Sequence, residues 1–287
     1  ILLRREGGEV DHREPIDLNF LERYQVGNTM LSQLMEGRSP DEISAFFNAS
    51  GRVPPGAPGA CLVNELAGEL EPVVAELRKI RAEKELDALQ IDLPIGRFRL
   101  QGTLANIYPQ ALLRYGYQRF REDRLLRLWI EHLVLCASAA GGYPGSSKLA
   151  CRKPRGPGME IHWFNEVGEA EPLLAELLEL YEIGQNEPLL LFPRTSGAYL
   201  QQLEKAGDDS DESASLALQR ARRVWEEKSG DVEPERETNV FSLLFRDADP
   251  LAIDYPEKFG LQGEDNRFGT LVGKIFTPLL DHLGEDE

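Results

Sequence analysis

The sequence predicts an α/β or α+β layered fold, and three observations carry that prediction. Apolar residues alternate with period two between Leu89 and Tyr117, they recur at helical spacing on both sides of that stretch, and Pro and Gly punctuate the joins. Strands that run out and back, with helices covering them afterwards, make a layered domain around one core. Taken in order, Leu18, Leu21, Tyr24, Met30, Leu31, Leu34 and Met35 describe an amphipathic helix weakened at Gly27 and ended by Gly37. Ser39-Pro40-Asp41-Glu42 is a start signal for a shorter helix through Phe46-Phe47. The Arg52–Gly59 run is too rich in Pro and Gly for helix or central strand, and a longer helix is expected from Leu62 to Leu86. Leu89–Leu93, Arg97–Ile107 and Ala111–Tyr117 then form an antiparallel meander turned at Pro94-Ile95-Gly96 and Tyr108-Pro109-Gln110. A helix over Glu122–Ala139, strands near Lys148–Arg152 and Glu160–Trp163, and a helix over Ala170–Tyr181 follow. Pro188–Phe192 reads as a buried strand, Gly207–Ser213 (with Asp208, Asp209, Asp211 and Glu212) as a solvated acidic loop, and Ala214–Lys228 and Phe268–Leu283 as helices.

A chain of 287 residues is long enough for one large domain or a core with a smaller companion. Cys61, Cys136 and Cys151 are scattered and odd in number, which argues against a disulfide framework or a zinc site and fits a reducing compartment. Each reads as a small buried hydrophobe. The best apolar helix, Leu125–Ala140, carries Arg127, Glu131 and His132 and is too short to cross ~30 Å of hydrocarbon. The chain opens at Ile1, with Arg4, Arg5 and Glu6 close behind, and reads as a piece of a longer polypeptide. The net charge of −17 argues against free-standing DNA binding. Yet eleven basic residues against three acids lie between Pro94 and Arg155, leaving about +8 there and about −25 elsewhere. Such a basic middle either attracts polyanions or is a set of ordinary solvated faces.

Most catalytic chemistry is missing from the sequence. Gly269–Ile275 is one residue short of a phosphate-binding loop, lacks its hydroxyl and sits in a helical pattern; Gly141–Lys148 also misses the spacing. His12, His132, His162 and His282 lie far apart, no Gly-x-Ser-x-Gly elbow occurs, and His132 beside Glu131 reads as part of a surface ion pair. A Mg²⁺ nuclease needs carboxylates on a rigid sheet and an Asp/Glu-x-Lys strand, whose alternation puts acid and lysine on one face. Only Lys228 has an acid two residues before it, Glu226, and that pair falls on an amphipathic helix where i and i+2 diverge.

The meander nonetheless resembles that nuclease core. Gln101-Gly102-Thr103-Leu104-Ala105 resembles its Gly-x-Ile-Asp strand, with Ala105 where the metal-binding acid belongs. Leu112-Leu113-Arg114-Tyr115-Gly116 resembles the Leu-Leu-Asp-Tyr-Lys strand of the RecB nuclease domain, with Arg114 in the acid's place and Gly116 in the lysine's. The helix with Leu126, Trp129, Ile130, Leu133 and Val134 matches the one that packs beside that site. Further strings are similar, in order, to the C-terminal domain of the RecC family, the gamma subunit of the RecBCD helicase–nuclease. They are Glu14-Pro15 with Leu21–Gln25, Pro54–Ala57, Leu112–Arg114, Leu128–Ser138 and Pro188–Pro193, and the resemblance spans roughly Glu14 to Leu283.

The resemblance implies a PD-(D/E)xK restriction-endonuclease-like core sheet flanked by helices, kept as a scaffold: a helical extension over 1–86 and an inactivated nuclease-like domain over 87–287. It implies no catalytic residue, metal or cofactor, with Ala105, Arg114 and Gly116 as degenerate positions, since a guanidinium repels Mg²⁺ and favours phosphate or carboxylate. It implies RecB and RecD as partners, DNA ends or forks as the nucleic acid, a bacterial cytoplasmic setting and no membrane. RecC holds RecB and RecD together and splits the duplex, and its helicase-like part, absent here, inspects the strand for Chi. The DNA-binding candidates are Arg97, Arg99, Arg114, Arg119, Arg121, Arg152, Lys153 and Arg155. Three functions are therefore expected in competition: a non-catalytic assembly and DNA-guiding domain, a protein-interaction module with an incidental basic patch, and a Mg²⁺ nuclease with a displaced site, for which Asp92 is the one good strand carboxylate.

Overall fold

The computed structural model of the chain describes residues 18–207, 211–230, 232–246, 248–252 and 267–284. The opening residues, including Arg4, Arg5, Glu6, His12 and the Glu14-Pro15 pair, lie outside them, as do Asp208 and Asp209 of the acidic loop. The described residues form nine α-helices, two small sheets and one short 3₁₀ turn, a mixed α/β architecture. They cluster into two compact units, one built from the described part of 1–82 with Tyr115–Arg119 and Ala150–Ile161, the other from Glu83–Arg114, Phe120–Leu149 and His162 onward.

The first unit is mainly three helices. Helix α1 (Phe20–Met35) opens with a capping box, in which the Asn19 side chain accepts from the Glu22 N–H and Glu22 accepts from the Asn19 N–H. Helix α2 (Pro40–Ser50) repeats the device with Ser39 and Glu42 and ends at Gly51, whose φ of +63° suits glycine. Helix α3 (Ala57–Ile80) starts earlier and ends earlier than its apolar pattern suggests. Pro58 sits at the first turn, where no intrahelical N–H is needed, so the tail of the Pro/Gly run enters the helix after all. Gly59 is required there by crowding, because a Cβ would lie 1.9 Å from the Pro54 carbonyl oxygen. Met30, Leu31, Ile43, Phe47, Leu66, Leu70 and Leu77 form its buried core.

In the second unit, β1 (Leu89–Ile95) and β2 (Phe98–Leu104) make an antiparallel hairpin in the register Ile95↔Phe98 to Leu89↔Leu104. Gly96, at φ +55°, takes the first central position of its two-residue turn. The expected single meander is corrected at this point. Strand β3 (Leu112–Arg119) leaves β2 after one isolated bridge, Ile107↔Leu112, and joins β4 (Ser147–Arg152) and β5 (Met159–Phe164) in a second sheet ordered β3-β4-β5. Asn106 at φ +60° turns the chain between the two sheets. Period-two alternation marks each strand but not its neighbour.

Helix α4 (Glu122–Ser138) follows expectation and buries Leu125, Leu128, Trp129, Leu133 and Leu135; it packs with α5 (Ala170–Asn186) and β1. Residues 188–192 are irregular rather than the expected strand: Phe192 is buried by rings, not by a ladder, lying 4.4 Å from Trp225 and 5.0 Å from Phe241. It leads into α6 (Pro193–Ala206), a helix the apolar pattern does not reveal, which opens with Pro193 and closes at Gly207. Helix α7 (Asp211–Glu226) begins inside the expected acidic loop; α8 (Asn239–Phe245) is short, and α9 (Arg267–Asp281) encloses the Gly269–Ile275 string as expected. Lys228 lies beyond the end of α7 and pairs with Glu233, so the Glu226/Lys228 spacing is not on a helix but still not a strand pair.

Gly27 in mid-α1 is explained by the first unit: a Cβ there would sit 2.0 Å from Cδ1 of Tyr117. Gly27→Ala is therefore expected to lower stability by about 2 kcal/mol, overpacking outweighing the helix-propensity gain of about 1 kcal/mol. Gly68→Ala in α3, where a Cβ meets nothing within 4 Å, is expected to gain about 0.5–1 kcal/mol. Urea unfolding of the two variants checks this, and a stabilised Gly27→Ala protein would contradict the packing of Tyr117 on α1.

Candidate functional site

Ala105 and Arg114 are brought together. Ala105 follows the last residue of β2, Arg114 lies on β3, and the Arg114 Nη1 donates to the Ala105 carbonyl oxygen at 2.9 Å and to that of Leu113 at 3.0 Å. Its Nε donates to Oε2 of Glu131 on α4 at 2.7 Å. With side chains 27% and 25% exposed, this charge-assisted bond is worth about 1.5–3 kcal/mol. The guanidinium therefore ties the end of β2, β3 and α4 together, and it faces a carboxylate rather than solvent. Gly116 falls in the first unit, where its Cβ position is taken by the Gln118 side chain.

The other basic candidates divide in two. Within the second unit Arg97 is paired with Glu182 and lies 5.0 Å from the centre of the Phe98 ring, and Arg121 forms an ion pair with Asp123 at 2.9 Å. Arg99 bonds both oxygens of Asp92, at 2.6 Å each. That fork holds the Asp92 carboxyl below the ordinary carboxylate range. Asp92, the one strand acid open to a nuclease reading, is thus committed to a cross-strand ion pair. In the first unit Lys153 and Arg155 lie exposed on the turn between β4 and β5, which the Lys153 N–H closes on the Gly158 carbonyl at 3.1 Å. The Arg119 guanidinium donates to the Pro154 carbonyl of the same turn at 3.3 Å.

Arg152 is different again. It is 7% exposed, its guanidinium lies 4.7 Å from the centre of the Tyr117 ring, and its Nε has no hydrogen-bond partner. The Tyr117 hydroxyl donates to Glu69 at 2.7 Å, and Glu69 is also held by Arg23 at 2.8 Å. Burial, then the bond to Glu69, pushes the Tyr117 phenol up to about 12. Arg152 is thus an anchor under the basic turn, stabilised by the face of the Tyr117 ring.

His132 corrects its sequence reading as a surface ion-pair residue. It is fully buried, Nε2 lies 2.9 Å from the Asn165 carbonyl oxygen and Nδ1 2.9 Å from the Ser147 hydroxyl. Since a carbonyl only accepts, Nε2 carries the proton and Nδ1 accepts from Ser147. Burial pushes its pKa down to about 4. The partner of Glu131 is Arg114, seventeen residues away, a pairing no local pattern signals. The Cys136 Sγ lies 3.6 Å from Nε2, and burial pushes that thiol up. Cys61, expected to be buried, is exposed on α3, whereas Cys151 is buried.

The family model for the RecC C-terminal domain matches residues 1–204. The chain belongs to the RecC C-terminal domain family. Its relatives include the RecBCD enzyme subunit RecC of Escherichia coli, 31% identical over 222 residues, which are 76% of this chain and 19% of that protein. The protein of the same name from Mycolicibacterium smegmatis is 29% identical over 93% of the chain and 24% of its own length, and that of Mycobacterium tuberculosis 25% identical over 94% and 24%. The chain thus spans about a quarter or less of the curated relatives it matches. The RecC model ends within α6, and the mycobacterial relatives carry the similarity through most of the rest. No helix among the described residues is long and apolar enough to cross a membrane.

A buried neutral His132 makes stability depend on pH. The unfolded chain takes up its proton near pH 6.5 while the folded one resists until about 4, so stability should fall as pH drops through that window, by up to about 3 kcal/mol. In His132→Asn the slope of unfolding free energy against pH over the same window is expected to shrink by this contribution. An unchanged slope would show that the imidazole is not held neutral.

Proposed function

We propose that this domain makes no chemistry of its own and serves the RecC subunit as a scaffold, docking RecB and RecD and touching the DNA fork. The setting is double-strand-break repair by homologous recombination in the bacterial cytoplasm. In this reading 87–287 is an inactivated PD-(D/E)xK-like domain, related to the RecB nuclease domain, and 1–86 its helical extension. The observation that supports it is the Arg114 guanidinium seated against the Ala105 carbonyl and Glu131. A cation with its own carboxylate occupies the place where a nuclease of this type would gather oxygens around Mg²⁺, and it opposes metal binding there.

For DNA, the pairings favour one surface. Phosphate contact by Arg97, Arg99, Arg114 or Arg121 would have to compete with the carboxylate each already holds. Lys153 and Arg155 stand exposed, and no ion pair to either is formed among the described residues. The fork contact is therefore assigned to the 153–155 turn, flanked by Arg119 and steadied by Arg152. A docking-only module is the second reading, favoured by the net charge of −17 and by those four ion pairs.

Titration of forked DNA over a salt series separates them. Binding that weakens steeply with salt is expected, and Lys153→Glu with Arg155→Glu should flatten the log–log slope by about two. No binding at low salt would select the docking-only reading. Arg114→Glu sets a second carboxylate beside Glu131 and is expected to destabilise the second unit and weaken docking or fork binding without creating cleavage. Mg²⁺-dependent cleavage that Asp92→Asn abolishes would overturn the scaffold reading.

A further inference from the structure

The β1–β2 hairpin has one protected edge and one open one. Across its two-residue turn Ile95 and Phe98 form a hydrogen-bonded pair, so pairing parity runs Ile95/Phe98, Leu93/Leu100, Ile91/Gly102 and Leu89/Leu104. Pro94 agrees with that parity: opposite Arg99, at a non-bonded position, its missing N–H takes no bond from the ladder. The groups that point away from the hairpin are then those of Gln90, Asp92 and Pro94 on β1, and of Arg99, Gln101 and Thr103 on β2. The β1 edge is blunted by Pro94, and β1 packs on α4 and α5. The β2 edge carries no proline. Arg99, Gln101 and Thr103 are exposed, and the next strand in sequence, β3, pairs with β4 instead.

Two further features fit an edge that something else completes. Phe98 and Leu100, which alternate with the outward residues, are only half-buried, so the apolar face of the hairpin stops short of full cover at β2. Gly102 lies between them and Leu104 on that same face, exposed, without a positive φ, and a Cβ there would meet nothing within 4 Å. Neither the backbone nor packing among the described residues requires glycine at this position. Glycine inside a strand often marks the approach of another backbone or a bulky side chain. An exposed strand edge of this kind is managed in folded proteins by covering or pairing it.

We propose that β2 is completed by β-strand addition: an extended segment of a partner subunit pairs with the main chain at Arg99, Gln101 and Thr103. Its apolar side chains, two residues apart, cover Phe98 and Leu100, and one of them settles over Gly102. This mode of recognition draws affinity from main-chain hydrogen bonds and register from the alternate side chains. It rests on the reading of the domain as a docking module and names where one partner docks and in what conformation. Relatives of the chain are named as subunits of a multisubunit enzyme, which is why a partner subunit, rather than a second copy, is assigned to the edge.

Hydrogen exchange on the complete RecC subunit, alone and assembled with RecB and RecD, tests this. Alone, the amides of Arg99, Gln101 and Thr103 should exchange freely while those of Phe98, Leu100 and Gly102 are protected; on assembly the first set should slow by about tenfold or more. Gln101→Pro, which removes an outward N–H and no ladder bond, is expected to weaken assembly by about tenfold, and Gln101→Ala to leave it unchanged. Should Gln101→Pro fail to fold, the exchange pattern of the unaltered subunit decides alone. Assembly with no change at 99–103 overturns the strand addition and leaves the docking reading standing; failure to assemble at all overturns both. A concentration-dependent dimer of the free subunit with the same amides protected would assign the edge to a second copy and overturn the partner assignment.

Discussion

The Arg114–Glu131 contact ties the end of β2, β3 and α4 together in the second unit. Each charge is about three-quarters covered by neighbours, so neither could be left alone: an unpaired charge there would lose hydration with nothing to replace it. The guanidinium also reaches the main chain at Ala105, where β2 has ended and β3 has not begun. One side chain thus fixes the parting of the two sheets and the placement of α4 against them. The same geometry bears on chemistry, because the guanidinium is neutralised by its own carboxylate and an anion approaching Arg114 must displace Glu131.

In the first unit the corresponding role belongs to Glu69. Its carboxylate takes the Tyr117 hydroxyl and the Arg23 guanidinium, joining α1, α3 and the end of β3, while the face of the Tyr117 ring supports Arg152. A buried arginine without a carboxylate of its own is expensive, and a ring polarised by a bonded carboxylate offsets part of that expense. Arg152 ends β4, immediately before the exposed turn. Under the proposed fork contact, a rigid root beneath the basic turn would reduce the entropy lost on engaging phosphate.

What the sequence revealed is what local physics decides. The start signal at Ser39 and the apolar stripe of α4 act within a few residues and are found as expected, whereas the first hairpin turns at Gly96-Arg97, one step later than Pro94-Ile95-Gly96, because Pro94 sits at a non-bonded position and lets β1 run on to Ile95. What it hid is what distance decides. The alternation of Leu112–Tyr117 is the same whether β3 joins β2 or β4, and nothing near Pro188–Phe192 states that Phe192 will be buried by Trp225 and Phe241 rather than by neighbouring strands. His132 beside Glu131 looked like a surface pair, yet adjacent helical positions point about 100° apart, so one turned to Arg114 and the other to the core. The resemblance pointed to Arg114 and Ala105, which the structure brings into contact, but not to the acid that satisfies Arg114.

The basic stretch shows how a charge count misleads when partners are remote in sequence. Of the acids that neutralise its arginines, Glu131 and Asp123 lie inside the window, but Asp92 and Glu182 lie outside it, so a window sum overstates the field. Lys153 and Arg155 stand close together on one exposed turn, and at physiological salt the reach of that pair is about one Debye length, roughly 8 Å. A patch that small on a chain of −17 holds DNA only weakly at physiological salt. It can act on a strand already delivered to it, where separation is a few ångströms and the distant acids are screened. In the proposed scaffold role, a domain of this charge suits a place inside a larger assembly, and contact with DNA at the turn would then depend on docking with the subunits around it.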